Sequence, residues 1–300
     1  MIKDGILNIN KPSGMTSHDV VSKLRRRLGI KRIGHTGTLD PMATGVLPVC
    51  IGKATRIIEY YDADLKSYHA VMKLGTVTDS MDSTGNVIST CSYESITEEN
   101  VISAAAAFDG YVTQTPPIYS ALKVDGKRLY EYAREGKSVD IKSREVYLEG
   151  MKVTSIDLSE GVIEFDISCS KGTYIRSIID DMGKALGCGA MMTALERTRS
   201  GYFELEDALW LEDALSMDDE ELESHIIQPA DSLVNLGAVE LAPARLKAFC
   251  NGMSSHQKGY RITKKEGKLP GYRVYCKGEF YGIAVIEEGE LIPEKVIVNN

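Results

Sequence analysis

The sequence lacks any long apolar run, and this excludes an ordinary transmembrane helix. Its first residues, Met1-Ile2-Lys3-Asp4-Gly5, also lack the basic and then apolar segments of a secretory signal peptide. We therefore expect a cytoplasmic, soluble protein. With 300 residues and 43% hydrophobic content, the chain can form one large core, or a large domain together with a small one.

Motifs for metal or nucleotide binding are absent as well. The six cysteines are scattered without a C-x-x-C pair, so neither a zinc site nor a disulfide framework is indicated. The five histidines show no ligand spacing. Gly52-Lys53-Ala54-Thr55 lacks the glycine spacing of a phosphate-binding loop and the Ser or Thr that directly follows its lysine. We expect no metal site and no nucleotide site.

The chain does contain one carboxylate in a stretch of glycines, small hydroxyls and apolar residues, GHTGTLDPMATGVL at 34–47. The glycines permit backbone conformations that a Cβ forbids, and Pro41 fixes φ, so Asp40 lies at a stiff turn. One interpretation is that Asp40 only accepts hydrogen bonds from its own loop, as Asp in Asp-Pro turns commonly does. The other is that the turn presents the carboxylate for chemistry.

This stretch resembles the catalytic motif GHxGTLDPxAxGVL of the TruB family, the bacterial tRNA pseudouridine-55 synthases, and has all its fixed positions. The resemblance continues in family order over roughly the first two thirds of the chain. Its further motifs are ILNINKPSG at 6–14, KSY at 66–68, QTPPIYSALK at 114–123, SKGTYIR at 170–176 and LERT at 195–198. It favours the catalytic interpretation of Asp40.

The resemblance implies an isomerase that converts uridine 55 in the T loop of tRNA to pseudouridine. In that reaction the bond from ribose C1′ to N1 breaks, the uracil rotates, and C1′ joins C5, so no ATP, redox cofactor or metal is needed. A carboxylate suits this chemistry as a covalent nucleophile or as a shield for an oxocarbenium ion. We therefore predict Asp40 as the essential catalytic residue, with attack at C1′ or at C6 of the base left open.

The same resemblance supplies other site residues. Tyr68 and Leu195 hold the base after it leaves the stack, and Tyr68 is also a candidate for proton transfer at C5. Ordinary core packing is the alternative for both. His35 contacts RNA near the extruded base. Arg176 falls in the first turn of a predicted helix, where a cation opposes the helix dipole and favours a carboxylate partner. The resemblance supplies Asp40 as that partner.

The net charge of −8 looks wrong for a protein that binds RNA, so the distribution of charge matters more. Residues 1–58 hold ten Lys or Arg against three Asp or Glu, whereas 200–244 hold twelve acidic residues and no basic ones. Residues 245–300 are basic again, with ten against six. We expect the acidic stretch to turn away from phosphate. The individual candidates for RNA contact are Lys11, Lys123 and Arg128.

Periodicity and turn signals predict the elements that carry these residues. Strands are expected at about 45–51, 67–74, 146–156 and 162–169. Helices are expected at about 17–28, 98–108, 127–134 and 173–187. Ser17 is the predicted cap of the first helix and Thr173 of the last. Pro116-Pro117 and a turn at Asp125-Gly126 indicate an extended RNA-binding arm over about 111–136.

From about Leu236 onward, a helical patch at 243–250 precedes strand signals at 272–276, 280–286 and 291–298. Their position and pattern resemble the PUA-type RNA-binding domain. We predict a catalytic domain at 1–235 and a PUA-like domain at 236–300. The predicted fold class is α/β of the α+β type. It comprises a pseudouridine synthase fold, with a mixed, largely antiparallel sheet and a central cleft, and a small C-terminal β-rich domain.

We expect tRNA, bound through its T arm, as the partner of a monomeric enzyme that has no protein partner and no membrane contact. Two alternatives stay open. A non-catalytic tRNA-binding protein or RNA chaperone would use the same basic surfaces, but binding alone needs no set such as Asp40, Tyr68 and Arg176. A pseudouridine synthase acting on another RNA is opposed only by the TruB-like pattern and by the arm residues 119–123.

Overall fold

The computed structural model describes residues 4–61 and 64–297. The strands are β1 (Gly5–Lys11), β2 (Ile33–His35), β3 (Thr44–Ile51), β4 (Lys66–Leu74), β5 (Thr76–Thr78), β6 (Val87–Thr90), β7 (Gly110–Gln114), β8 (Lys123–Val124), β9 (Lys127–Arg128), β10 (Arg144–Asp157), β11 (Val162–Cys169), β12 (Ala190–Ser200), β13 (Phe203–Glu204), β14 (Leu209–Trp210), β15 (Gly237–Leu241), β16 (Ser255–His256), β17 (Tyr260–Lys264), β18 (Tyr272–Cys276), β19 (Glu279–Glu287) and β20 (Glu290–Val296). The helices are α1 (Ser17–Leu28), α2 (Glu98–Ala105), α3 (Leu129–Arg134), α4 (Ile175–Ala185), α5 (Leu211–Ser216), α6 (Asp219–Ser224), α7 (Pro229–Ser232) and α8 (Leu246–Cys250). Three 3₁₀ segments lie at Gly52–Tyr61, Pro243–Arg245 and Gln257–Gly259. Within the described residues, no helix has the length and apolar character needed to cross a membrane.

The chain forms two compact units, each assembled from stretches that are distant in sequence. The first comprises the described parts of 1–41, 46–63 and 200–300, and the second comprises 42–45 and the described part of 64–199. The division into domains at 1–235 and 236–300 stays a prediction.

In the N-terminal part of the first unit, β1 lies between β14 and β3. β14 runs parallel to β1, and β2 pairs antiparallel to β3. Every residue of β1 is buried. Helix α1 packs against this sheet through Val20, Val21 and Leu24, which share one apolar cluster with Leu7 and Ile9. These three side chains are buried and form the inward face of the helix.

Thr16, and not Ser17, caps helix α1. The Thr16 hydroxyl accepts a hydrogen bond from the Asp19 N–H at 3.1 Å, and the Asp19 carboxylate accepts one from the Thr16 N–H at 2.8 Å. This reciprocal arrangement satisfies two backbone donors at the start of the helix. The prediction of Ser17 as cap was wrong because its buried hydroxyl is bonded to Leu39 instead.

The C-terminal part of the first unit is a six-stranded sheet in the order β16-β20-β19-β18-β15-β17. Strands β18 to β20 follow the predicted pattern, and Val298, the predicted end of the last one, lies outside the described residues. The apolar side chains of Leu236, Ile283 and Ile297 share a cluster with those of Ile57 and Tyr61. This sheet therefore packs on the N-terminal part of its own unit.

The second unit is built on strands in the order β12-β4-β11-β10-β7. β11 pairs antiparallel to both β4 and β10, and β10 pairs antiparallel to β7. β12 also pairs in parallel with Thr44 and Gly45, so the sheet is mixed. Alternate residues of β4 are buried, as its pattern predicts, and helix α4 packs against this strand. The predicted α/β class with a mixed sheet is confirmed.

Gly45 lies where β12 meets the start of β3. Its φ is +97°, and a Cβ there would lie 2.3 Å from the Arg197 carbonyl oxygen and 2.8 Å from the Arg197 nitrogen. We expect Gly45→Ala to lower the free energy of unfolding by about 2–5 kcal/mol, because left-handed strain and a backbone clash add together. Urea unfolding measures the loss.

Gly14 offers a matched control for Gly45. Its φ is +86°, but a Cβ added there would have no other atom within 4 Å. Gly14→Ala therefore carries only the left-handed strain, about 1–2 kcal/mol. Equal losses in the two variants would show that contact with Arg197 does not determine the need for glycine at position 45.

Candidate active site

The loop that carries Asp40 connects β2 to β3 in the first unit and is held on both sides of the aspartate. On one side, the Leu39 N–H donates to the buried Ser17 hydroxyl at 2.8 Å, and that hydroxyl donates back to the Leu39 carbonyl at 3.3 Å. On the other side, the Pro41 carbonyl accepts from the Gly14 N–H at 2.9 Å. The half-buried Asp40 thus has a fixed backbone.

Lys11, at the end of β1, is fully buried. Its ammonium donates to the backbone carbonyls of Pro12 and Met15, each at 2.8 Å, and to that of Pro41 at 3.2 Å. A lysine ammonium has three N–H donors, and here it meets three carbonyl acceptors. These contacts favour a role for Lys11 in positioning the Asp40 loop. The RNA contact expected of Lys11 stays a prediction.

His35 ends β2 and lies opposite Val49 of β3. It is half-buried, and the next residue, Thr36, donates its N–H to the Pro48 carbonyl at 3.1 Å. The start of the Asp40 loop is therefore tied to β3. The structure brings His35, Lys11 and Asp40 into the same unit.

Tyr68 and Leu195 belong to the second unit, on β4 and β12, which are neighbours in the sheet. Each is 8% exposed, so each keeps a small accessible surface at the edge of a packed core. Tyr68 shares its face with Ala70 and Met72, as the alternation of β4 predicts. An aromatic ring and an apolar side chain on adjacent strands suit the binding of a flat base.

Arg176 lies in the first turn of α4, where the sequence predicts it, and is 4% exposed. Its guanidinium lies 3.4 Å from the Asp82 carboxylate and donates to the carbonyls of Ser80 at 3.1 Å and Tyr119 at 3.0 Å. The dipole argument favours a carboxylate partner for this cation, and Asp82 is one. The pairing of Arg176 with Asp40 stays a prediction.

Asp82 is a site residue that the sequence reasoning missed. One of its oxygens accepts from the Ser80 hydroxyl at 2.8 Å, the Thr84 N–H at 2.9 Å and the Thr84 hydroxyl at 2.5 Å. Its other oxygen faces Arg176. The available signal was the run Asp82-Ser83-Thr84-Gly85, a pattern typical of an Asx turn. That turn orients the carboxylate toward the arginine.

Helix α4 begins after Tyr174, not after Thr173. The Thr173 hydroxyl donates to the Ser170 carbonyl at 2.9 Å and does not cap the helix. The Gln114 amide instead holds the Tyr174 backbone on both polar groups, accepting from its N–H at 2.8 Å and donating to its carbonyl at 2.9 Å. The prediction of Thr173 as cap was wrong because this long-range contact fixes the helix start.

Lys123 and Arg128 lie opposite each other in a two-stranded ribbon of β8 and β9. Both are exposed. The predicted turn at Asp125-Gly126 is confirmed, with φ of 50° and 81°, as a two-residue hairpin turn requires. Pro116 and Pro117, which lie within the predicted arm, are buried.

The basic residues near the end of α1 have different environments. Arg25 donates to the Ile33 carbonyl at 2.6 Å, and Arg27 pairs with Asp219 at 2.9 Å. Arg26 is exposed. Asp219, a member of the acidic stretch, therefore neutralises Arg27 at the end of this helix.

Cys50 and Cys169 are buried free thiols. Burial raises the pKa of Cys50 to about 12 and that of Cys169 to about 11. Both thiols are therefore protonated at neutral pH, and the thiol form is a poor nucleophile. In residues 4–61 and 64–297, no group of three or more His, Cys, Asp or Glu side chains is arranged to hold a metal ion.

Comparison with known proteins identifies the class of this fold and site. The sequence matches the family model of the TruB family pseudouridylate synthase N-terminal domain over residues 25–175. It matches that of the tRNA pseudouridylate synthase B C-terminal domain over 176–235. The tRNA pseudouridine synthase B of Clostridium kluyveri is 40% identical over 296 residues, which cover 98% of this chain and 100% of the relative. That of Heliobacterium modesticaldum is 44% identical over 257 residues, covering 85% and 83%.

A solved structure has a similar fold. The crystal structure of a Cbf5-Nop10-Gar1 complex contains a chain that aligns with a TM-score of 0.73 and 26% identity, covering 99% of this chain and 84% of that one. The mixed sheet and the fixed Asp40 loop thus belong to a pseudouridylate synthase, an isomerase. Within that class, the chain belongs to the TruB family. The family and enzyme class predicted from the sequence are confirmed.

Proposed function

We propose that this protein converts uridine 55 in the T loop of tRNA to pseudouridine, with Asp40 as the nucleophile. The observation that carries the tRNA assignment is the 40% identity, over 98% of the chain, to a relative named tRNA pseudouridine synthase B. The choice of position 55 is supported by the complete family motif around Asp40.

The proposed reaction leaves the composition of the RNA unchanged. The C1′–N1 bond breaks, the uracil rotates, C1′ bonds to C5, and a proton lost from C5 is balanced by one gained at N1. Asp40 forms a covalent bond at C1′ or at C6 and is released in the last step. A carboxylate in a site without water stays ionised when a nearby cation offsets its desolvation. Arg176 is the proposed cation, on the strength of the family motif at 170–176.

The uridine must leave the base stack, which costs a few kcal/mol. We assign Tyr68 and Leu195 to hold the extruded uracil, and the phenol of Tyr68 to move the proton at C5. The small exposed fraction of both side chains supports this assignment, because such surfaces contact a base while excluding water. His35 is assigned a contact with RNA beside the extruded base.

The remaining proposals concern affinity. Lys123, Arg128 and Arg26 are exposed cations that suit phosphate contacts. The C-terminal module, 236–300, is proposed as a PUA-like RNA-binding domain, since ten of the basic residues lie in 245–300 against six acidic ones. We propose that the T arm of tRNA is bound by a monomer.

The decisive experiment maps pseudouridine at single-nucleotide resolution in an unmodified tRNA transcript after incubation with the protein alone. We expect product at U55 and none in a matched transcript with cytidine at that position. Product at a different uridine would overturn the site specificity. Tight tRNA binding without any product would favour the alternative of a non-catalytic RNA-binding protein.

Lys11→Met separates a positioning role from an RNA contact. Methionine keeps an apolar stem but leaves three carbonyls without their donor, so we expect a loss of about 1–3 kcal/mol in the free energy of unfolding. The shifted loop lowers the single-turnover rate by about 10- to 100-fold. If Lys11 only positions the loop, the dissociation constant for tRNA stays unchanged, because the side chain is fully buried. A weaker affinity with a salt slope lower by roughly 0.7–0.9 would instead show an RNA contact.

A further inference from the structure

Arg144 is a cation with no anionic partner among residues 4–61 and 64–297. It begins β10 in the second unit and is half-buried. No Asp or Glu of the described residues lies within 4.0 Å of its guanidinium, and its buried Nε has no hydrogen-bond partner. A partly desolvated charge without a partner is unfavourable. An external anion on the accessible side of the guanidinium would offset that charge.

The guanidinium is nevertheless held in a fixed place. It lies over the ring of Tyr174, 5.2 Å from the centroid, and one of its terminal nitrogens donates to the Gly172 carbonyl. Gly172 makes room for it, because a Cβ there would lie 3.2 Å from the Arg144 Cζ. Gln114, opposite Arg144 in the β7–β10 pair, holds the Tyr174 backbone on both polar groups. The Arg144 guanidinium and the Tyr174 ring are therefore held in place before a ligand binds.

This arrangement leaves unused donors on the edge of the guanidinium. Stacking on Tyr174 occupies its face, and the bond to Gly172 uses one donor out of the five that an arginine side chain carries. An edge with two parallel N–H groups matches the geometry of phosphate oxygens. A purely structural contact between β10 and the turn before α4 would need the hydrogen bond from Arg144 to Gly172. It would not need a positive charge without an anionic partner.

We propose that Arg144 binds a backbone phosphate of the RNA substrate next to the reacting uridine, and that Tyr174 and Gln114 position its guanidinium. The inference rests on the proposed function, because the ligand is a phosphodiester of that substrate. Tyr174 directly precedes the helix whose first turn holds Arg176. A phosphate fixed at Arg144 therefore anchors the nucleotide backbone beside the residues assigned to the chemistry.

Arg144→Met tests this with Lys152→Met as the matched control, since Lys152 is exposed on the same strand and also carries one positive charge. The dissociation constant for tRNA is measured over a series of salt concentrations. We expect Arg144→Met to weaken binding roughly tenfold at low salt, as loss of a charged hydrogen bond does. Its slope of log affinity against log salt falls by roughly 0.7–0.9. Lys152→Met keeps the wild-type slope.

Ethylation of individual phosphates in the tRNA locates the contact. We expect one phosphate near U55 at which ethylation weakens binding to the wild type but has no further effect on Arg144→Met. Arg144→Lys keeps the positive charge and the aliphatic part of the side chain, so we expect this variant to fold even if Arg144→Met does not. It retains most of the salt slope while binding less tightly, because lysine lacks the planar fork.

The outcomes separate the inference from the function on which it rests. Identical salt slopes and ethylation patterns for Arg144→Met and Lys152→Met, in variants that unfold at the wild-type midpoint, overturn the phosphate contact. A slower reaction of Arg144→Met with unchanged affinity for tRNA also overturns the phosphate contact, because it indicates that Arg144 has only a structural role. If the wild type forms no pseudouridine in tRNA, the proposed function fails, whatever the variants do.

Discussion

Replacement of Asp40 by asparagine is expected to abolish pseudouridine formation while leaving tRNA binding intact. The amide has nearly the same shape as the carboxylate but is not a nucleophile, and the bonds that fix the loop come from the backbones of Leu39 and Pro41. We expect the single-turnover rate to fall by at least about 10⁴-fold, as when other enzymes lose a central catalytic group. The measurement is the amount of pseudouridine formed with enzyme in excess over tRNA.

Asp140→Asn is a suitable control for this prediction, because Asp140 is an exposed carboxylate before β10. It removes the same charge and should leave the rate unchanged. An Asp40→Asn variant that forms product at close to the wild-type rate would falsify the assignment of Asp40 as nucleophile. A variant that no longer binds tRNA would mean that the carboxylate also shapes the binding surface.

Asp82→Ala is expected to destabilise the protein strongly. It leaves the buried Arg176 without the carboxylate that lies 3.4 Å away, and it removes the acceptor of three hydrogen bonds from Ser80 and Thr84. Breaking a buried ion pair by removing one partner costs about 3–5 kcal/mol. We expect a loss of this size in the free energy of unfolding, measured in urea, together with a slower reaction because Arg176 is displaced.

The matched control is Asp140→Ala, which removes an exposed carboxylate and should change stability by no more than about 0.5 kcal/mol. A double variant, Asp82→Ala with Arg176→Met, tests the coupling. Methionine removes the charge that has lost its Asp82 partner, so the double variant should be more stable than Asp82→Ala alone. Equal losses in the free energy of unfolding for Asp82→Ala and Asp140→Ala would contradict a structural role for the ion pair between Asp82 and Arg176.

Local pattern was sufficient to predict much of the framework of the site. The alternation of apolar residues predicted that Tyr68 lies on the buried face of β4. The Asp125-Gly126 pair predicted the turn of the ribbon that carries Lys123 and Arg128. Each of these features depends on a few neighbouring residues, whose periodicity or turn chemistry is visible in the sequence alone.

Features decided by distant contacts were not predictable in this way. Thr16 and Ser17 are both good caps by type, and the bond between Ser17 and Leu39 decides which of them caps α1. The start of α4 similarly depends on Gln114, sixty positions away from Tyr174. A chain that lacked either contact would satisfy the same local rules, so the sequence offered no basis for the choice.

The loop around Asp40 has neither helix nor strand, yet its backbone is tied down on both sides. Its amide hydrogens at Leu39, and at Gly14 beside it, should therefore exchange with deuterated solvent as slowly as those of the adjoining strands. The segment should also resist proteases that cleave ordinary surface loops. A backbone already immobile in the free enzyme loses little entropy when RNA arrives, so little of the binding energy is spent on ordering the carboxylate.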